Sequence, residues 1–484
     1  MKKNIVFSLM SIFLIFSSCE DAIDIEQPGE LNPDLTFETV NDLRLGLNFV
    51  YSAVSNNTQI ALSSIWCDEV GIGFANGGQG LDGEYSFVMN SGSFQPNGIW
   101  ESNYDLINFA NRLLAGAANV TPNSDEVDQY NDIVAQARAL RAYGHFQLLS
   151  YFSTDLSDDN ALGVILLDFV PSITDQLPRS TNGEIFELIN NDLDFADANL
   201  ADNTDVKYIT KNFITAFRAR MALYRKDYVN AQIYAQQVID AVPLATTAQY
   251  PLIWADLVNS EVIFKLERTT GNSLIGGLWF SVDETIGGSP FYEVGRSLFN
   301  ILSQGDVRRN VLVGPTSLID PDYATSTDYR NTDILLLNKY PGSEGFNRLN
   351  DIKIFRTSEM YFIKAEAQVA AGQLVAAAQT LQQLRSNRYV SNLPSLPTYA
   401  SAQVALADIL KERRIELAFE GHRYLDMKRL GIPSNQQFDR DPRDCEAATL
   451  CVITSDDYRL TLPIPATELA ANAAIRQQQN PGYN

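Results

Sequence analysis

Aromatic rings set among aspartates and asparagines, in two glycine-containing stretches, are the residues of this chain best suited to hold a ligand. Trp66, Asp68, Phe74, Asn76, Asp82 and Tyr85 form the first group, and Trp279, Phe280, Asp283, Phe291 and Tyr292 form the second. A sugar presents apolar C–H faces beside its hydroxyls, so a receptor without a metal needs flat aromatic platforms next to amides or carboxylates that accept from those hydroxyls. Each group supplies both parts. Rings of this kind also pack beneath long loops, so the expectation attaches to the sets rather than to any single member. Trp100 differs, because it opens a helical run with Tyr104 and Ile107, a core pattern.

Catalysis finds little to build on. His145 lies in a helical run between Tyr143 and Phe146 and His422 follows Gly421 at the end of a charged run, and neither has a nucleophile or acid at a useful spacing. The chain lacks H-E-x-x-H, C-x-x-C and G-x-S-x-G, the common zinc, redox and serine-hydrolase strings. Gly78 to Gly83 satisfies G-x-G-x-x-G, but no buried strand precedes it, and dinucleotide binding needs strand, turn and helix in that order. Asp320, Asp322, Asp328 and Asp333 offer oxygen ligands without EF-hand spacing and read as solvated acidity. No metal, cofactor or catalytic residue is expected. Among 59 acidic residues a glycosidase-like carboxylate pair is a matter of three-dimensional distance.

The run Lys411-Glu412-Arg413-Arg414-Ile415-Glu416-Leu417-Ala418-Phe419-Glu420-Gly421-His422-Arg423-Tyr424, followed by Asp426-Met427-Lys428-Arg429, welds helix-patterned charge to an unusual Phe-Glu-Gly-His turn. Further strings accompany it: Trp100, Tyr104, Ile107, Ala110 and Asn111; Arg138 to Tyr143; Glu359-Met360-Tyr361 with Ala365-Glu366-Ala367; Leu462-Pro463-Ile464-Pro465; and the closing Gln479-Asn480-Pro481-Gly482-Tyr483. In type and order the chain resembles the SusD/RagB family. That resemblance implies a helical lipoprotein of the outer membrane that captures a glycan or another nutrient and hands it to a TonB-dependent barrel transporter. Ligand residues in the family vary with substrate, so no site is carried over. The bland reading of the charged run, with Glu412, Glu416 and Glu420 at four-residue steps and Gly421 ending the helix, is a structural element tied by ion pairs.

Met1-Lys2-Lys3, the apolar Ile5 to Phe16 and Ser17-Ser18-Cys19 read as a secretory leader over 1–18, too short to remain as a membrane span, with Cys19 as the acylated residue. An acidic tether over 19–35 follows, with Pro28, Gly29 and Pro33, and acids directly after the cysteine resemble a surface-export signal. In an oxidising compartment Cys445 and Cys451 are predicted to form a local disulfide, leaving Cys67 unpaired and buried. The formal charge of −23, deepened by two when Lys2 and Lys3 leave with the leader, argues against nucleic acid or anionic lipid as partner.

The elements that must position these residues are mainly helices. Three- and four-residue periodicity predicts a long helix over 127–152, a pair over 210–225 and 228–242, and a second pair over 358–371 and 374–388. Ala222 onward and Gln368 onward match in helix, turn and small-residue placement, a weak tetratricopeptide-like repeat whose pairs would stack into a short solenoid. The expected fold is therefore mainly α, with few short strands such as 261–266. One domain over 36–484 is expected, its helical scaffold mainly at 97–242 and 355–431 and its loop-rich ligand and partner regions at 56–98, 243–350 and 432–460. The function expected is capture of an oligosaccharide or polysaccharide, against two others: a peptide-binding subunit using the solenoid groove, and a surface glycan hydrolase.

Overall fold

The computed structural model describes residues 37–78, 83–279, 290–445 and 450–483. The leader, Cys19, the tether, Asp82, Phe280 and Asp283 lie outside them. The long helices are α1 (Val40–Ala53), α2 (Phe94–Ala117), α3 (Val127–Phe152), α4 (Asn182–Asn199), α5 (Lys211–Tyr224), α6 (Tyr228–Ala241), α7 (Thr357–Ala370), α8 (Leu374–Ser386), α9 (Ala402–Glu416) and α10 (Arg423–Ser434). Two small antiparallel sheets accompany them: β1 (Val70–Ile72) pairs with β3 (Tyr292–Val294), and β2 (Val262–Leu266) with β4 (Ile352–Arg356).

Local chemistry explains the helix starts. Thr39 accepts from the Asp42 N–H while Asp42 accepts from the Thr39 N–H, and Thr181 with Glu184 repeats this reciprocal cap at α4. Thr210, Asp227 and Ser401 cap α5, α6 and α9 through their side chains. From Ile133 onward almost every residue of α3 is buried, because α1, α2 and α4 pack around it.

The two predicted pairs share one turn. After α5 the Asp227 N–H reaches back to the Ala222 carbonyl and the Lys226 N–H to that of Leu223; after α7, Gln373 and Gly372 make the same two bonds to Gln368 and Val369. Lys226 and Gly372 occupy the left-handed position of this double-bonded helix ending, at φ 62° and 73°. The pairs stack in order, with α6 against α7 and α9 against α7, and Phe362, Leu381, Leu384 and Ile409 fill the space between α7, α8 and α9. Phe213 of α5 packs on Phe264 of β2 at 5.0 Å and on Phe355 of β4 at 5.3 Å, which joins the second sheet to the same core.

The charged run holds two helices, and the first ends at Glu416, five residues before the Gly421 read as its end. The chain leaves α9 at Glu416 and re-enters helix at Arg423, with Phe419 and Gly421 both left-handed between them. Glu420 thus sits in a turn, not on a shared helical face. All three glutamates are nevertheless buried in one ionic cluster. Glu416 meets Arg356 at 2.9 Å, Arg388 at 3.0 Å and Arg308 at 3.2 Å; Glu420 meets Arg356 and Lys339, each at 2.7 Å; Glu412 meets Arg308 and Arg385, each at 2.6 Å. Glu261, at the edge of β2, accepts from Arg388 at 2.7 Å, and Asp306 completes the set on Arg308 at 2.7 Å. Burial alone would raise the Glu416 carboxyl, but the surrounding Arg388, Arg356 and Arg308 guanidiniums outweigh it and hold the group well below the usual carboxylate range.

Removing one carboxylate from such a cluster strands several buried guanidiniums, so Glu416→Ala should lower unfolding free energy by about 3–5 kcal/mol in urea denaturation. Asp194→Ala, which breaks the exposed pair with Arg218, should cost less than about 1 kcal/mol; equal losses would refute the assigned role of the cluster. Gly372→Ala meets no atom within 4 Å of the added carbon, so its expected cost of roughly 1–2 kcal/mol is that of the left-handed backbone alone.

Candidate ligand-binding face

Segments from all three loop-rich insertions meet at one face. Strand β1, from the first, pairs with β3, from the second, in the register Val70↔Val294, Gly71↔Glu293 and Ile72↔Tyr292. Beyond the strand ends Gly73 N–H donates to Phe291 O at 3.0 Å, and Asn76 Nδ2 donates to the same carbonyl at 3.2 Å. Glu293 then clamps a third strand of chain: its carboxylate accepts from Phe74 N at 2.9 Å and from Leu335 N at 2.9 Å.

The third insertion is fastened by arginines. Arg440 stacks over Tyr85 and Phe87, 4.1 Å from each ring, and donates to the carbonyls of Ile65 and Cys67. Tyr85 lies nearly parallel to Tyr292 at 5.8 Å and gives its hydroxyl proton to Asp444 O. Asp444 accepts from Arg296 N at 2.8 Å, and Arg296 in turn grips Asp333 at 2.6 Å and lies 4.4 Å from the Tyr323 ring. Arg443 donates to Ala324 O at 2.6 Å and Ser326 O at 3.1 Å and sits over Tyr323 and Tyr329, whose rings meet edge to face at 5.6 Å. Cys445 and Cys451 are joined by a disulfide beside this arginine, and Cys67 is free and buried.

Most of the rings and polar groups singled out in the sequence form the support of this face. Trp66 is fully enclosed by Phe87, Tyr424 and Phe438 at 5.2 to 5.8 Å. Trp279 is equally buried, parallel to Tyr340 at 5.7 Å, with its indole N–H on Ser64. A ring covered on both faces has none to offer a sugar. Asp68 is held in a two-point ion pair with Arg423, both bonds 2.7 Å, so its acceptor capacity is spent inside the protein. Asn76, Tyr85 and Tyr292 are buried in the roles already described. Phe74 and Phe291 remain partly open.

Residues that sequence reasoning missed gather at the joint of this face: Tyr323 and Glu293 are buried there, and Tyr329, Arg296, Arg443 and Asp444 are partly open. The two tyrosines lie within the acidic loop over 320–333 read as solvated, where the alternation of aromatic and acidic types was the available signal. Of those acids, Asp333 is taken by Arg296, and Asp320 accepts from Thr332 at 2.7 Å.

Burial pushes Glu293 up to about 8, against its two N–H donors and with Asp444 and Asp333 adding to the rise, and burial likewise takes Asp444 up to about 7. The histidines lie elsewhere and are neutral. Burial lowers both to about 4, and His145 is engaged at each nitrogen, Nδ1 toward Arg141 O at 3.0 Å and Nε2 accepting from Leu167 N at 3.2 Å.

The signature strings map onto ties of the scaffold. Arg141 bridges Asn111 at 2.8 Å and Asp192 at 2.7 Å; Glu359 pairs with Arg220 at 2.6 Å; Asn480, from the closing string, bonds Phe152 O and Leu462 O.

Comparison with known proteins agrees with this architecture. Residues 34–223 match a family model described as starch-binding associating with outer membrane, and residues 296–483 match the SusD family model. SusD-like protein P2 of Formosa agariphila is 24% identical, with all of both chains covered. A SusD superfamily structure from Bacteroides thetaiotaomicron is 24% identical, covers 92% of this chain and 100% of its own, and superposes with a TM-score of 0.75. A solved laminarin-binding SusD-like protein is 22% identical, covers 92% of this chain and 100% of its own, and gives a TM-score of 0.68.

The raised carboxyls of the face predict a pH dependence. An acid whose folded pKa exceeds its unfolded one makes the native state bind more protons between the two values, so its contribution to stability falls as pH rises through that window. For Glu293 the window runs from about 4.5 to about 8. The stability of the native chain relative to Glu293→Gln should therefore fall by an amount on the order of a few kcal/mol between pH 5 and pH 8. Thermal melts of both proteins across that range test this, and parallel pH profiles would refute it.

Proposed function

Because the chain belongs to the SusD/RagB family, we propose that it is a non-enzymatic binding protein, held at the outer membrane through lipidated Cys19, that captures an oligosaccharide or polysaccharide and passes it to a TonB-dependent barrel partner. The observation that carries this reading is the convergence of the three insertions on one face. Separate stretches of chain are fastened there by Glu293, Arg440 and Arg443, and the face keeps Phe74, Phe291 and Tyr329 partly open beside guanidinium and carboxyl groups. Open rings next to fixed hydrogen-bonding groups are what recognition of a sugar requires. The description of one matching family as starch-binding and the laminarin-binding neighbour favour a glucan-like ligand. Outer-membrane association agrees with the former as well.

The non-enzymatic part rests on the state of the ionisable groups. Two buried neutral histidines offer no base at this face, and Glu293 and Asp444 accept from main-chain N–H groups that hold the face together.

Calorimetry of the soluble chain, started after Cys19, against laminarin, starch, other glycans and peptides would test the proposal. A glycan should bind without release of reducing ends. Tyr329→Ala and Phe291→Ala should each weaken it by about tenfold, the scale of one lost stacking contact, while Trp66→Ala and Trp279→Ala should lower thermal stability. Glycan affinity unchanged in both open-ring variants would reject this face, and binding of peptides alone would move the function to the peptide-capture alternative.

A further inference from the structure

On the solenoid, formed by residues other than those of the loop-built face, lies a cleft of about 460 Å³. It opens between the end of α3, the α5–α6 turn, α7, α9 and α10, and its wall is largely aliphatic, with Leu156, Val369, Leu406 and Leu425 beside the half-open ring of Tyr228. A cavity of this size suits a compact small molecule.

Three cations line the cleft, and two are matched. Lys226 lies 3.4 Å from Asp155, and Arg429 lies 2.9 Å from both Glu366 and Asp426. Lys428 is different. Its ammonium donates to the main-chain carbonyls of Ser150 at 3.0 Å and Ser153 at 2.6 Å, and no carboxylate of the described residues comes within 4 Å. Two of its three N–H groups are thereby spent on neutral acceptors. Asp155, paired with Lys226, attracts this ammonium only at longer range, so no carboxylate pairs with it directly, an arrangement that leaves room for an incoming anion. Burial outweighs that attraction and lowers the pKa of Lys428 to about 7.

We infer that this cleft is a second ligand site for a compact monocarboxylate with an aliphatic or aryl body, its carboxylate on Lys428 Nζ and its apolar part against Leu406 and Tyr228. A hydroxyl-rich sugar fits it less well, since Asp155 and Glu366 already serve Lys226 and Arg429. The inference is independent of the glycan reading.

Calorimetry of the soluble chain with 3-phenylpropionate and octanoate tests it, with 3-phenylpropanamide as the uncharged control. Saturable binding of the acids is expected, with the amide at least tenfold weaker. Lys428→Met should abolish the response, and Leu406→Trp, which fills the cleft while keeping the ammonium, should do the same; Tyr329→Ala should leave it unchanged. Equal binding of acid and amide, no binding by the native chain, or full binding by either cleft variant would overturn the inference. Selective binding of peptides through a free C-terminus, with no response to the small acids, would also overturn it and assign the cleft to chain ends.

Discussion

The buried ionic cluster centred on Glu416 is the constraint on which the rest of the structure depends. It unites elements far apart in sequence: Glu261 at β2, Arg308 in a short helix of the second insertion, Arg356 at the end of β4, Arg388 after α8, and Glu412 and Glu416 of α9. Charges this deeply buried are costly alone and tolerable only when each meets a partner in good geometry. The arrangement therefore admits few alternative placements of these segments. It also accounts for the break after α9: a helix continued through Phe419 would carry Glu420 around the helical axis, whereas the left-handed turn delivers it to Arg356 and Lys339.

The same logic extends outward to the loops. Arg423, just past the turn, pins Asp68, and Arg440 gathers the carbonyls of Ile65, Trp66 and Cys67. The first insertion is thus attached to the scaffold by guanidiniums on its inner side, leaving its outer side to pair with β3. Long insertions without regular structure need such internal anchoring, because their own main-chain groups would otherwise remain unsatisfied wherever water is excluded.

That layering explains what could be read from the chain and what could not. Helix α3 was legible to the residue, and the α5–α6 and α7–α8 pairs nearly so, because three- and four-residue periodicity is a local property. The ionic role of the glutamates at 412, 416 and 420 was legible too, and so was a turn at 419–422, though not that the helix stops at Glu416 and leaves Glu420 inside that turn, since four-residue spacing looks the same whether or not Phe419 turns left-handed. The aromatic loops were recognised as sites of chemistry, but the largest rings, Trp66 and Trp279, went to the core beneath them. A loop long enough to build a binding face first needs apolar mass to hold itself down, and the best rings for stacking on a ligand are also the best for that. Sequence carries no mark that separates the inward ring from the outward one. Tyr323 and Tyr329 lie in the loop whose aspartates read as solvated acidity, and that reading attached to the acids alone.

Perturbed carboxyls in a cleft ordinarily raise the question of catalysis. Glu293 and Asp444 show why perturbation alone is insufficient. A general acid must present its proton to the leaving oxygen, and a glycosidase needs two carboxyls disposed across the scissile bond. Here both oxygens of Glu293 accept from main-chain N–H groups of two different segments, and Asp444 accepts from Arg296 N while its own carbonyl takes the Tyr85 hydroxyl. Their raised pKa values follow from burial in the joints of the face. The carboxyls of Glu293 and Asp444 thus brace three loops against one another, and under the proposed function the shape they fix, with its partly open rings, serves to hold a ligand.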